Sequence, residues 1–92
     1  MTTDKDEQAQ GLQFPCRYPV KAMGRVGGDL DRLVIAIVEQ HAGKVAAEDV
    51  RIKSSSAGNF QSITVTIDAT SRELLETIYQ ALADCEQVLW TL

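Results

Sequence analysis

The residues best suited to chemistry lie in one short loop, where three serines, a glycine and an asparagine follow two cations. The segment is RIKSSSAGNF, so the serine loop (residues 54–60) lies directly after Arg51 and Lys53. Backbone N–H groups of such a loop, with the hydroxyls beside them, can bind a carboxylate or a phosphate. The same residue types form ordinary hairpin turns, because Gly58 and Asn59 tolerate positive φ angles. The sequence leaves both interpretations open.

The second candidate is the glycine-rich connection GRVGG, which precedes the first predicted helix. Gly24 and Arg25 begin it, and the free N–H groups at a helix N-terminus bind anions. Asp29 and Asp31 bring negative charge to the start of this helix, where they oppose an incoming anion. Glycines are also what a tight turn from strand to helix requires. The sequence therefore favours a structural turn over a phosphate site.

The supply of catalytic and metal-binding side chains is small. The chain has one histidine, His41, and two cysteines, and it contains no CxxC, HExxH, GxSxG or GxxxxGKS/T motif. No residue is spaced to complete a metal site around His41. The sequence thus predicts a protein that is not an enzyme and that holds no cofactor and no metal. The alternative is a small hydrolase or transferase that works through Arg25, His41 or the hydroxyls of the serine loop.

Hydrophobic periodicity predicts the elements that position these residues. The predicted strands and helices are, in order, residues 17–23, 29–42, 50–53, 62–68, 70–82 and 88–92. The order βαββαβ, with one apolar face on each element, predicts an α+β fold, a ferredoxin-like two-layer sandwich. Its four-stranded antiparallel sheet has the order 4-1-3-2 and carries both helices on one face. Tyr79 and Trp90 fall on apolar faces and are predicted core residues.

This topology also predicts two local features. Thr70 and Glu73 have the spacing of a capping box at the start of the second helix. Cys16 and Cys85 precede neighbouring antiparallel strands, so their sulfurs are expected at opposite ends of the sheet, about 20 Å apart. A disulfide needs Cα atoms within about 7 Å, so both cysteines are expected to be free thiols.

Alternation along the strands predicts what the face without helices carries, a surface called the open face below. Its predicted side chains are Arg17, Lys21, Met23, Arg51, Lys53, Ser62, Thr64, Thr66, Asp68, Leu89 and Thr91. Four of these are cations and one is an acid, whereas acidic residues are frequent on the helices and at their ends. An acidic chain is thus predicted to have a basic sheet face. That face is either an ordinary solvated surface or a docking surface for an acidic partner or a second copy.

The overall composition limits the classes of partner. The chain has 92 residues, 45% of them hydrophobic, and a formal net charge of −4, which fits one small globular domain. Residues 1–13 are predicted to form a disordered acidic tail, and residues 14–92 the folded domain. The acidic balance argues against nucleic acid, and Lys21 and Thr64 stand where RNA-recognition motifs carry stacking aromatics. With no long apolar run and no signal peptide, we expect a cytoplasmic protein and no membrane partner.

Several segments resemble a known family. They are Phe14-Pro15, VKAMG (20–24), EQHA (39–42), KSSSAGNFQSI (53–63), IDAT (67–70) and the C-terminal residues 88–92. Together they resemble the YbeD-like family of small bacterial proteins, and the serine loop is the most specific part of the likeness. The resemblance implies a fold similar to the amino-acid-binding regulatory modules called ACT domains, and it implies no assigned activity. Genes of this family often lie near those of lipoate assembly.

The residues and the resemblance together favour a non-catalytic regulatory or protein-interaction module. Its expected partner is an unknown protein or a small anionic metabolite, bound as in ACT domains, with a link to lipoate metabolism. The sequence leaves open whether the chain forms a homodimer. The candidate binding residues are Arg17, Lys21, Gly24, Arg25, Arg51, Lys53, Ser54, Ser55, Gly58 and Asn59.

Overall fold

The computed structural model describes residues 13–91, so the predicted tail lies outside the described residues except for its last position. The elements follow the predicted order βαββαβ, with one added turn of 3-10 helix. The strands are β1 (Cys16–Arg25), β2 (Val50–Ser54), β3 (Phe60–Ala69) and β4 (Trp90–Thr91). The helices are α1 (Leu30–Ala42) and α2 (Arg72–Ala83), and the 3-10 turn (Ala47–Asp49) leads into β2.

The sheet is antiparallel and has the order β2-β3-β1-β4, which is the predicted order 4-1-3-2 counted from the other edge. Its centre is the long ladder between β1 and β3, in which Cys16 pairs with Ala69 and Arg25 pairs with Phe60. β1 continues two residues beyond its predicted end, so Gly24 lies inside the strand. The predicted fold is confirmed, and the central strands are longer than the periodicity indicates.

The core lies between the sheet and the two helices. Its buried side chains are Val20, Ala22, Leu30, Val34, Val38, Ile63, Val65, Ile67, Ala69, Leu75, Ile78, Leu82 and Val88. Most come from the inward faces of β1 and β3 and from one stripe of each helix, as the periodicity predicts. Tyr79 is half-buried and packs against this cluster. Both helices therefore cover the same face of the sheet and leave the other face open.

Local residues set the helix ends. α1 is followed by Gly43, which adopts a φ of +85°, a conformation that glycine reaches without steric cost. At α2 the N-cap lies one residue later than predicted. Ser71, not Thr70, caps the helix, and its Oγ accepts the N–H of Leu74 at 3.1 Å. With Ser71 as the N-cap, the third helical residue is Leu74 and not Glu73, so the predicted capping box between Thr70 and Glu73 is wrong.

β4 is short, so β1 has an open edge along much of its length. The carbonyl of Met23 accepts the N–H of Leu89 on the β4 side. Backbone groups of alternate residues in a strand point the same way, so Pro19 turns its missing N–H toward this edge. The N–H of Lys21 also points there and donates a hydrogen bond to the phenol oxygen of Tyr79. The proline and the tyrosine together make this edge a poor template for another strand.

Candidate functional site

The open face carries a groove of about 810 Å³ that crosses β2, β3 and β1. Its lining residues are Tyr18, Pro19, Lys21, Glu48, Asp49, Arg51, Lys53, Ser62, Thr64 and Thr66. A smaller depression of about 270 Å³ continues the groove toward the serine loop and shares Lys21, Lys53 and Ser62 with it. The two depressions form one polar surface on the face that the helices leave uncovered.

Three cations line this groove, Lys21, Arg51 and Lys53, and they are called the cation triad. Thr64 of β3 pairs with Lys21 on one side and with Arg51 on the other, and Ser62 pairs with Lys53 in the next row. Because neighbouring strands are about 4.8 Å apart, the backbones of Lys21 and Arg51 are about 10 Å apart, with a hydroxyl residue between them. Within residues 13–91 the triad forms no ion pair. Among the described residues, its charges therefore have no ion-pair partner and face the groove.

Arg17, the fourth predicted cation of the open face, is neutralised by two carboxylates. Its guanidinium lies 2.8 Å from Asp49 and 3.0 Å from Asp68. Asp68 is its cross-strand partner in the ladder, and Asp49 comes from the 3-10 turn. Hydrogen bonds to Asp68 and Asp49 raise the pKa of Arg17 above its usual value. Arg17 is thus part of an ion-pair cluster and adds no net positive charge to the groove.

The opposite end of the open face carries an aromatic corner, defined by Met23, Phe60 and Trp90. Trp90 pairs with Met23, and the ring centroids of Phe60 and Trp90 are 5.9 Å apart, with planes tilted by 51°. The guanidinium of Arg25 lies over the Phe60 ring, 5.3 Å from its centroid. Trp90 is 44% exposed, so the prediction that it belongs to the core is wrong. Trp90 lies on the open face, beside the cations.

The face of Trp90 follows from the shortness of β4. Val88 is buried, but pairing with β1 begins at Trp90, so the alternation of faces does not continue from Val88 to Trp90. A shift of one residue exchanges the two faces of a strand. Thr91 consequently pairs with the buried Ala22 and faces the helices, so its predicted place on the open face is wrong. Leu89, assigned to the same face, lies before the strand begins and is exposed.

The serine loop is a closed hairpin turn. The N–H of Ser55 donates to the carbonyl of Phe60 at 2.8 Å, and the N–H of Gly58 donates to the carbonyl of Ser55 at 2.9 Å. The N–H of Phe60 donates to Ser55 Oγ at 3.2 Å, and Gly58 has a φ of +78°. The carbonyl of Asn59 accepts an N–H from the connection after β1, while Ser54 and Ser55 line the smaller depression. The geometry supports the turn, and an anion site within the loop stays a prediction.

Gly24 and Arg25, predicted to begin the glycine-rich connection, are the last two residues of β1 and lie in different surroundings. Gly24 is buried, and a Cβ there would lie 2.4 Å from the carbonyl oxygen of Gln87 and 2.9 Å from the side chain of Leu30. Gly24 therefore permits the close approach of the segment that precedes β4. Arg25 is exposed and packs on Phe60. The fold brings Arg25 to the aromatic corner and leaves Gly24 beneath it.

Among the described residues, no catalytic arrangement joins the other candidates. His41 lies in the last turn of α1 and lines a depression with residues of α2, whereas the serine loop opens onto the opposite face of the sheet. A Ser–His pair needs hydrogen-bond contact, which this separation prevents. Cys16 and Cys85 are free thiols, as predicted. Across residues 13–91, no three His, Cys, Asp or Glu side chains are grouped to hold a metal, and no helix is long and apolar enough to cross a membrane.

Comparison with known sequences shows that the chain is similar to a family of bacterial proteins. A family model described as protein of unknown function, DUF493, matches residues 9–92. A UPF0250 protein from Chromobacterium violaceum is 40% identical over 77 residues, covering 84% of this chain and 86% of its own length. A UPF0250 protein from Ectopseudomonas mendocina is 41% identical over 78 residues, covering 84% and 85%. One from Neisseria gonorrhoeae is 34% identical over 86 residues, covering 94% of each chain.

A solved structure shares the architecture. The solution structure of protein HP0495 from H. pylori matches with a TM-score of 0.61 at 15% sequence identity. The match covers 88% of this chain and 85% of that one. At this level of identity the likeness shows the fold alone.

Proposed function

The chain belongs to the DUF493 family, the YbeD-like family that its sequence resembles, and because that family has no known function we propose one from the open face. We propose that the protein is a non-catalytic binding module that takes a carboxylate-rich partner on the cation triad. Lys21, Arg51 and Lys53 attract the carboxylates, while Ser62 and Thr64 stand between them as hydroxyl donors.

One observation carries this proposal: the cations of the open face differ in their partners. Arg17 has two carboxylates within 3.0 Å, whereas the cation triad has none among the residues that the structure describes. Arg51 and Lys53 lie two residues apart on one face of β2, and Lys21 lies two strands away on β1. These like charges repel one another, and an anion that bridges them relieves this repulsion. Glu48 and Asp49 line the groove nearer Arg17 and limit the positive field to the triad. The groove therefore suits a few carboxylates better than a long polyanion.

The occupant can be a protein segment or a small carboxylate. A segment rich in Asp or Glu makes the protein an interaction module. A small metabolite, lipoate included, makes it a ligand-binding regulator of the kind that ACT domains represent. Both occupants use the same charge contacts, and only the first also has the length to cross the sheet. We favour the protein segment, and the experiment separates the two.

The test is the binding of a fluorescein-labelled oligoglutamate peptide to the full chain, followed by fluorescence anisotropy at low and high salt. The variant Arg51→Gln/Lys53→Gln is expected to bind about 2- to 30-fold more weakly, because each exposed ion pair contributes about 0.2–1 kcal/mol. High salt should remove the difference, since it screens exposed charges. The matched control Arg32→Gln/Arg72→Gln removes the same charge from exposed helix positions and should bind as the parent does.

Equal losses in the two double variants would show that the peptide responds to net charge alone, which refutes a site at the triad. Competition identifies the class of occupant. Displacement of the peptide by lipoate, at concentrations where acetate has no effect, assigns the groove to a small metabolite. Without such displacement, the acidic protein segment remains the occupant.

A further inference from the structure

The aromatic corner lies next to the cation triad and has no part in the charge contacts proposed above. Trp90 is 44% exposed, and Met23 and Phe60 are half-buried beside it. Exposed apolar residues that lie together, with polar residues around them, mark interaction surfaces more often than single exposed ones do. Aromatic side chains with Arg nearby are also the residue types that dominate binding energies at protein interfaces. The corner therefore has the composition of an anchor site.

The sheet register joins this corner to the cations. One row across the sheet contains Lys53, Ser62, Met23 and Trp90, one residue from each strand. At about 4.8 Å per strand, the backbones of Lys53 and Trp90 lie about 14 Å apart, a span that about four extended residues cover. The smaller depression is lined by Met23 and Phe60 together with cations of the triad. An extended segment placed here contacts apolar and cationic side chains at once.

The charge pattern argues against a second copy of the chain as the occupant. Two open faces placed together would bring two cation triads near each other. Pairing of β2 with itself around Ile52 would set Arg51 of one copy opposite Lys53 of the other, which again opposes like charges. The acidic side of α2 could contact the open face of a second copy. Such a head-to-tail contact forms an open filament unless the rotation between copies closes a ring. The fitting occupant is a different protein.

The geometry also favours a protein segment over a single-stranded nucleic acid. Arg25 covers one side of the Phe60 ring, and Trp90 packs against the same ring, so Phe60 has little free surface for base stacking. Glu48 and Asp49 line the groove and would repel a phosphate backbone.

We propose that the aromatic corner anchors one large apolar side chain of an acidic protein segment whose carboxylates bind the cation triad. This inference rests on the proposed function and adds the apolar position that the partner must carry. Lys21 is one strand from Trp90 and Lys53 is three strands from it. The segment therefore carries Asp or Glu about two to five residues from a Leu, Met, Phe or Trp.

The test starts with a phage-displayed library of random peptides selected on the full chain. Selected peptides are expected to combine acidic residues with one large apolar residue at this spacing. Synthetic copies are then titrated while the emission of Trp90, the one tryptophan of the chain, is recorded. Burial of its ring should shift the emission to shorter wavelength. The variant Trp90→Ala should lower the affinity about tenfold or more, as loss of an aromatic anchor does.

The matched control is Ile52→Ala, which removes a 47% exposed side chain from the edge strand, on the side that faces the helices. It should leave the affinity unchanged. Acidic peptides with no preferred apolar residue and no change in Trp90 emission would overturn the anchor and leave the proposed function standing. Selection without acidic enrichment would overturn both. Tighter binding of an oligouridine than of any selected peptide would assign the surface to nucleic acid and refute the inference.

Discussion

Gly24→Ala tests how the fold holds the aromatic corner in place. Gly24 is buried within β1, beneath the segment that leads into β4. An added Cβ would lie 2.4 Å from the carbonyl oxygen of Gln87, where ordinary contact begins at 3.4 Å. The backbone of that segment must therefore retreat by about 1 Å. This movement pulls at the hydrogen bond from Leu89 to Met23, which is 2.8 Å long and joins β4 to the sheet.

The size of the effect follows from these contacts. Overpacking of a well-packed site costs about 1–3 kcal/mol, and loss of the hydrogen bond adds about 0.5–1.5 kcal/mol. Alanine also restricts the unfolded chain more than glycine does, which offsets about 0.4–1 kcal/mol. We expect Gly24→Ala to lower the free energy of unfolding by about 2–3 kcal/mol, which corresponds to a fall in Tm of roughly 10–20 °C for a domain of this size.

The assay is urea unfolding followed by far-ultraviolet circular dichroism, with Trp90 emission recorded on the same samples. Gly28→Ala is the matched control, because a Cβ at that position meets only the flexible end of the Gln87 side chain, at 3.2 Å. Its effect should stay within about 0.5 kcal/mol. In Gly24→Ala the emission of Trp90 should also change before unfolding, since β4 is displaced. Equal stability of the two alanine variants would refute the close-approach argument.

Three further outcomes test the contacts described above. Ser71→Ala should lower the free energy of unfolding by about 1 kcal/mol in urea titrations, while Thr70→Ala, which removes no cap, should leave it nearly unchanged. Burial raises the pKa of Tyr79, so above about pH 10 the unfolded chain loses the phenol proton while the folded chain keeps it. The free energy of unfolding should therefore fall with pH more steeply in the parent than in Tyr79→Phe, and parallel profiles would contradict this. Asp49→Asn/Asp68→Asn should free the guanidinium of Arg17 from its ion pairs and so tighten oligoglutamate binding at low salt, with no gain at high salt.

The fold could be predicted from the sequence because each long strand or helix repeats its hydrophobic pattern several times. β3 alternates over ten residues, and both helices carry apolar residues at helical spacing, so an error at one position changes little. β4 has two residues, which is too few to establish a phase. Its face is set by pairing with Met23 and by the close approach at Gly24, both of which depend on distant parts of the chain. The misplacement of Trp90 has this cause.

The candidate site was predictable to the same extent. The cation triad and its hydroxyls lie on the alternating parts of β1, β2 and β3, and the structure places them together as expected. Phe60 also had a usable signal, since it precedes Ser62 and Thr64 at the two-residue period of β3. The pairing of Arg17 with Asp49 had no sequence signal, because Asp49 comes from a 3-10 turn that no residue pattern predicts.

The net charge of the chain is a poor guide to this surface. A formal charge of −4 indicates that anions avoid the molecule as a whole, yet exposed charges are screened beyond about 8–10 Å at ordinary salt. The acids on the helices lie on the other side of the sheet from the groove, and packed layers are about 10 Å apart. The field that a carboxylate meets in the groove is therefore set mainly by the cation triad. The acidic residues outside the cation triad disfavour long polyanions, and the aromatic corner binds an apolar side chain. The two features together select a short acidic segment with one large apolar side chain.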